Sequence, residues 1–367
     1  MRVESLTFFR YIAALIVVIF HYGAATGLSG TLVAGQQMVG FFFVLSGFVM
    51  VLAYYRKDHI DLRSYWWARF ARIFPVYFVA LLLMLVVTVV RDSGFDPIAL
   101  LLNLLFLQAW ISPYPLSLNG PGWSLSVEMF FYFLFPLAVP TIKRFRLSAL
   151  MVFIIALAVW GIAQGILIAA LNLGWYQGFP SLSHDLMVYF PPVYLGGFLL
   201  GMAGGIWFVD NEQRSVPQWL SLPLVALAVF LVITIFEERL VIEWYLGVQL
   251  PLESGFMAPF FVFFIVSLAL CRSALIRLLS IAPLVLLGEA SYSFYILQTP
   301  MHHLYKAVMS RIAELDPVTD FAGFVVFLTI VSILSFLWFE KPANRYFRYT
   351  VPAMLRRHWA TVSGWRG

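Results

Sequence analysis

Cysteine is almost missing: Cys271 stands alone among 367 residues. One thiol excludes an intrachain disulfide and any cysteine-based metal site, and its place in an apolar run makes it a small buried hydrophobe. Charge is nearly as scarce, at 11% of residues against about 25% in soluble domains. With 62% of residues hydrophobic and a mean hydropathy of +0.90, the chain has too little polar surface to face water on all sides. It needs lipid as the solvent for much of its exterior. No Pro/Ser-rich linker, charge run or fixed-period repeat divides it, so it reads as one membrane domain over 1–345 with a basic tail over 346–367.

The predicted fold class is therefore all-α, a polytopic membrane protein. A span takes about 20 apolar residues. Ten such runs lie near 5–24, 39–55, 73–90, 124–141, 148–171, 189–208, 218–236, 255–271, 282–306 and 320–339. An eleventh, Ile98 to Ile111, is short. Arg56, Lys57, Arg63, Arg69 and Arg72 mark one loop as cytoplasmic, and Lys143, Arg144 and Arg146 mark another. An even number of crossings must join them, and two long runs already supply it, so 98–111 is expected to be re-entrant or interfacial. Most of the 23 Lys and Arg then fall inside, with both termini cytoplasmic in a plasma (inner) membrane. The net charge of +5 is thereby read as a topology signal rather than as affinity for nucleic acid. The N-terminus imitates a signal peptide, but Arg10 breaks its apolar run and no A-x-A site follows, so a retained first helix is expected.

Ionisable groups within such spans are costly and are functional suspects. Arg10 and His21 lie eleven residues apart on one helix, about 20° past three full turns, so they share a face roughly 16 Å apart along the axis. The competing reading is that Arg10 snorkels and His21 sits at the interface. Glu128, in GWSLSVEMFFYFLFP, lies one turn into a helix entered from the outer side, at the depth expected for His21. His21, Arg10 or a substrate hydroxyl could partner it. Ser124 and Ser126 suit helix caps better than nucleophiles. In GFFFVLSGFVM, Ser46 and Gly47 favour close helix packing. Arg69 and Arg72 share a face at i, i+3, either as topology signal or as a phosphate clamp. EASYSFYILQTPMHH loads one outward-running helix with Tyr292, Tyr295, Gln298, His302 and His303. Pro300 is expected to kink it. The adjacent histidines point to different faces and do not make a metal pair.

LTFFRYIAALIVVIFHYG, GFFFVLSGFVM, RFARIFPVY, GWSLSVEMFFYFLFP, SYSFYILQTP and FEKPANR, in that order from residue 6 to residue 345, resemble the acyltransferase-3 family of integral-membrane O-acyltransferases. The resemblance implies about ten helices and transfer of an acyl group, often acetyl from acetyl-CoA, to hydroxyls of sugars or other small acceptors, commonly on surface polysaccharides. By it, Arg10 and His21 match the family's essential pair, Arg69 and Arg72 its arginine motif, and Glu128 its motif glutamate. One departure stands out: many members carry His where this chain has Gln298, and an amide cannot be a general base. Either that His is dispensable here or His302 substitutes for it.

The expected mechanism has His21 as general base, oriented or made more basic by Glu128, with Arg10 either stabilising developing negative charge or positioning the donor. The expected substrate-binding set is Arg69, Arg72, Ser46, Trp123, Ser124, Tyr292, Tyr295, Gln298 and His302, with Arg69 and Arg72 on the phosphates of acyl-CoA. No permanently bound cofactor or metal is expected. The partners expected are acyl-CoA, a carbohydrate or polyol acceptor, the bilayer and separate glycan-assembly proteins. The rival reading is a transporter or flippase for a lipid-linked sugar or small hydrophobic solute. Buried Arg, His and Glu would suit that too, but no matched pair of broken helices appears in two halves.

Overall fold

A computed structural model describes residues 4–27, 34–92, 94–211, 217–312 and 314–351. Among these the chain is helical and carries no strand. The helices are α1 (Glu4–Tyr22), α2 (Gly35–Tyr54), α3 (Leu62–Val90), α4 (Pro97–Leu104), α5 (Trp123–Arg144), α6 (Ala149–Asn172), α7 (Leu182–Val188) and α8 (Leu195–Asp210). They continue as α9 (Gln218–Glu237), α10 (Arg239–Leu246), α11 (Ala258–Leu270), α12 (Ala274–Leu278), α13 (Ala282–Met309), α14 (Pro317–Ser335) and α15 (Lys341–Arg345). Side chains that take the first free amides start many of them: Asp61, Asp96, Ser148, Ser181, Ser273 and Asp316 each accept from a backbone N–H of the turn they open.

Each of the ten expected spans coincides with a helix. Eight are long and apolar enough to cross a membrane by length and composition. Of the other two, α11 has only 13 residues, and α13 has 28 but carries the polar load already noted. The run at 98–111 forms the eight-residue α4, about 12 Å long and too short to cross, followed by a 3-10 turn at Gln108–Trp110. The chain from α4 to α5 dips into the protein, where Asn103, Gln108 and Asn119 are fully buried. Past α14 the helical course continues through π turns at Phe336–Glu340 and Tyr346–Thr350 on either side of α15. Residues 352–367 of the expected tail lie outside the described residues.

Small residues let the central helices touch. A Cβ on Gly201 of α8 would stand 1.9 Å from the Val44 carbonyl oxygen of α2, and one on Gly47 would stand 2.2 Å from that of Phe198. The packing expected of Gly47 is realised there. Gly288 of α13 lies as close to Thr7 of α1, at 1.9 Å, and sets those two helices side by side. α2 and α8 are accordingly the most buried spans, while α6, α9 and α14 present apolar faces outward.

Proline fixes the remaining relations. A helical proline lacks the amide that would bond the carbonyl four residues back, and lipid cannot replace it. Pro75 releases Ala71, whose carbonyl accepts from Asn344 at 3.3 Å. Pro136 releases Tyr132, whose carbonyl accepts from the Tyr65 hydroxyl at 2.8 Å. Pro300 releases Ile296, whose carbonyl accepts from Asn119 at 3.0 Å. These three carbonyls each recruit a side chain from a different segment. α5, α15 and the dipping loop are tied in this way to the helices that carry the polar motifs.

Gly201→Ala should force α2 and α8 apart and cost about 1–3 kcal/mol of stability. Gly161→Ala, where a Cβ meets nothing within 4 Å, should not. Thermal unfolding of both variants in detergent tests this; equal melting temperatures would contradict the close crossing.

Candidate active site

A cavity of about 550 Å³ lies between α1, α2, α3, α5 and α13 and is bounded by the α15 region, a size usual for small-ligand sites. Arg10, Ser46, Arg69, Arg72, Ser124, Glu128, Tyr292 and Tyr295 all line it. Sequence elements more than 280 residues apart thus meet on one wall. The lining residues not anticipated include Met50, Tyr132, Glu289, Asn344 and Arg348. Asn344 sits in the FEKPANR motif, so it could have been singled out.

Arg10, Arg69 and Arg72 are held differently. Arg72 donates to Glu340 at 2.8 Å, and Glu340, only 2% exposed, also accepts from Ser293 at 2.8 Å. Arg72 therefore clamps α3 to the end of α14. Arg69 has no carboxylate partner among the described residues. Its guanidinium is ringed by Tyr132, Tyr54 and Tyr65, with centroids 5.3, 5.7 and 5.9 Å away. Its polar contacts include the Met50 sulfur at 3.3 Å, the Tyr54 hydroxyl at 3.5 Å and the Tyr132 hydroxyl, and its Nε is buried without a partner. Arg10 makes no hydrogen bond or ion pair among the described residues. The charges acting on it are those of Arg72, Glu340 and Glu128. Arg10 and Arg69 thus face the cavity without a dedicated counterion among the described residues, an arrangement that favours an anionic occupant.

Glu128 is bonded by the Tyr132 hydroxyl one turn along its own helix, not by His21. The expectation that Glu128 orients His21 is therefore corrected. The physical reason is the dipping loop: Pro121, Gly122 and Trp123 are buried, so α5 begins well inside the protein and carries Glu128 deeper than a surface start would. Ser124 lies level with Tyr295, bonded at 3.0 Å. Glu128 is one turn below Ser124, and Gln298 is one turn above Tyr295, so Glu128 and the His21 level are about 10 Å apart along the helices.

His21 instead places Nδ1 2.8 Å from Gln298 Oε1. His21 and Gln298 are not among the cavity's lining, but a series of bonds leads to it. Gln298 donates to the Tyr295 carbonyl at 2.7 Å, and Tyr295 and Ser124 are on the wall. Trp123 is buried against Phe43, Tyr189 and Tyr194 and does not line the cavity. His302 stacks on Tyr22 at 4.1 Å and borders a separate pocket of about 300 Å³ with Lys306 and Asp320. It is thus not the neighbour that substitutes for Gln298. Tyr292 bonds the Ile73 carbonyl at 2.6 Å, so much of the polar load of α13 is spent on neighbouring helices. Among the described residues no cluster of His, Cys, Asp and Glu could hold a metal ion.

Over residues 3–339 the chain matches the family described as an acyltransferase domain, the acyltransferase-3 family. The chain belongs to that family. It is 29% identical over 242 residues to acyltransferase MdmB of Streptomyces mycarofaciens, covering 56% of this chain and 59% of that protein. It is 26% identical over 322 residues to O-acetyltransferase OatA of Staphylococcus aureus, covering 80% of this chain and 49% of that one. To the exopolysaccharide production protein ExoZ of Rhizobium meliloti it is 26% identical over 335 residues, 89% of this chain and 94% of that protein. It thus spans only about half to three-fifths of the first two relatives. No solved structure matches it.

Glu340→Gln should remove the charge that holds Arg72 and lower stability by about 1–3 kcal/mol, since Arg72 keeps some access to cavity water. Arg72→Gln combined with Glu340→Gln should recover part of that loss. An unchanged melting temperature for the single variant would contradict the clamp.

Proposed function

We propose that this protein is an O-acyltransferase moving an acyl group, acetyl in the first instance, from acyl-CoA to a hydroxyl of a carbohydrate or related cell-surface acceptor. The observation that carries the proposal is the Arg69 guanidinium: boxed by tyrosines, without a carboxylate partner among the described residues, with one buried N–H unused, on a cavity that Arg10 and Arg72 also line. Phosphate oxygens suit such a fork. Family membership and the relatives' printed activities point to acyl transfer rather than transport, and the names of OatA and ExoZ favour acetyl and a polysaccharide.

In this reading the protein lies in the plasma (inner) membrane with both termini cytoplasmic, and residues from 346 on face the cytosol as a basic tail. The phosphates of CoA rest on Arg69, Arg72 and Arg348 at the cytoplasmic end. The thioester arm runs past Ser46, Tyr292, Tyr295 and Ser124 toward His21, where the acceptor arrives from the outer side. His21 takes the acceptor's hydroxyl proton as the oxygen attacks the thioester carbonyl. The C–O bond forms, the C–S bond breaks, and the departing thiolate receives the proton. Arg10 and Glu128 set the field in the cavity, Arg10 offsetting negative charge on the donor.

Membranes supplied with radiolabelled acetyl-CoA should yield a labelled surface glycan, and His21→Asn should abolish the label without loss of expression. Arg69→Gln should raise the apparent KM for acetyl-CoA about tenfold, as loss of one charged hydrogen bond implies. Label retained in His21→Asn would remove His21 as the base, and an unchanged KM would remove Arg69 from the donor site.

A further inference from the structure

We infer that Gln298 is a positioning residue that fixes the tautomer of His21, holding the proton on Nδ1 and leaving the Nε2 lone pair free to act as the base. The inference rests on the reading of His21 given above. Its geometry is independent of that reading.

A side-chain amide can be turned either way, and its orientation must come from its partners. Here a backbone carbonyl decides. The nitrogen of Gln298 lies 2.7 Å from the Tyr295 carbonyl oxygen, which can only accept, so that atom must be the NH2 group. The other amide atom, 2.8 Å from His21 Nδ1, is then the oxygen and also can only accept. Nδ1 must carry the hydrogen. In neutral imidazole this leaves Nε2 unprotonated, and Nε2 has no hydrogen-bond partner among the described residues. Gln298 is itself fully buried, so water cannot compete for its oxygen.

Rotation of the imidazole is restrained as well. Phe20 and Tyr22 flank the ring at 5.4 and 5.8 Å. Tyr22 is in turn held by Thr299 at 3.2 Å and by the His302 ring stacked on it. The titratable groups around His21 are therefore Tyr22 on its own helix and His302 on α13, with the Lys306–Asp320 pair beyond. No carboxylate among the described residues reaches His21. An amide in this place sets direction and tautomer without adding charge, which keeps the imidazole neutral and able to accept a proton.

The test uses full-length protein in lipid bilayers. With 15N-labelled histidine, the His21 signals are identified by difference against His21→Asn. Above the titration range they should show a bare Nε2 and a protonated Nδ1. Gln298→Leu should populate the opposite tautomer that free histidine prefers. It should lower kcat at least about tenfold, as loss of a residue orienting a catalytic histidine does, with the KM for acetyl-CoA unchanged. Gln298→Glu should keep the wild-type tautomer and move the acid limb of kcat to higher pH, because a carboxylate stabilises the imidazolium. A Gln298→Leu protein with wild-type tautomer and kcat would overturn the inference, and so would an unshifted pH profile in Gln298→Glu. Should His21→Asn retain activity while the tautomer responds as stated, the base assignment fails and the positioning survives; the two failures are thus distinguishable.

Discussion

A membrane helix must satisfy its own carbonyls, because lipid offers no donor. Proline breaks that closure, and here the breaks organise the molecule. Ala71, Tyr132 and Ile296 each lose their helical donor to a proline and take one from Asn344, Tyr65 and Asn119. The bonds join α15 to α3, α3 to α5, and the dipping loop to α13. All of these segments bound the cavity or seat those that do. Losing any one would cost a buried hydrogen bond, about 1–3 kcal/mol, and would also free a wall of the cavity.

On that frame the charges are unevenly compensated. Glu340 neutralises Arg72 from a buried position. Arg69 is surrounded by aromatic faces, which stabilise a cation without quenching it. Arg10 feels Arg72, Glu340 and Glu128 at a distance but touches none of them. A site like this tolerates its cations when empty and gains most when an anion enters. The polar series from Ser124 through Tyr295 and Gln298 to His21 then links the cavity wall with a histidine about 10 Å beyond the level of Glu128.

Much of this was legible in the chain. Apolar run lengths located ten helices, eight of them long and apolar enough to span, and the parity of basic loops kept 98–111 from being counted as a span. Glycine and serine in GFFFVLSGFVM signalled a tight crossing, with Gly47 meeting Phe198. Arg10, Arg69, Arg72 and Glu128 were each singled out from their own motifs, while their meeting in one cavity was not foreseen. The pairings were not legible. Depth was assigned to Glu128 on the assumption that α5 starts at the surface, whereas a buried loop lowers it by more than a turn. The partner of His21 is an uncharged amide, which carries no periodicity or charge to betray it. Glu340 lay at the end of an apolar run and gave no sign that Arg72, 268 residues away, would claim it.

The most direct measurement compares CoA with pantetheine, the same thiol arm without nucleotide or phosphates, for binding to the protein in lipid nanodiscs. CoA should bind at least about tenfold more tightly than pantetheine, the worth of one charge-assisted hydrogen bond or more. Arg69→Gln should erase most of that difference. Equal affinities for the two in the wild-type protein would contradict a phosphate-holding cavity and the account built on it.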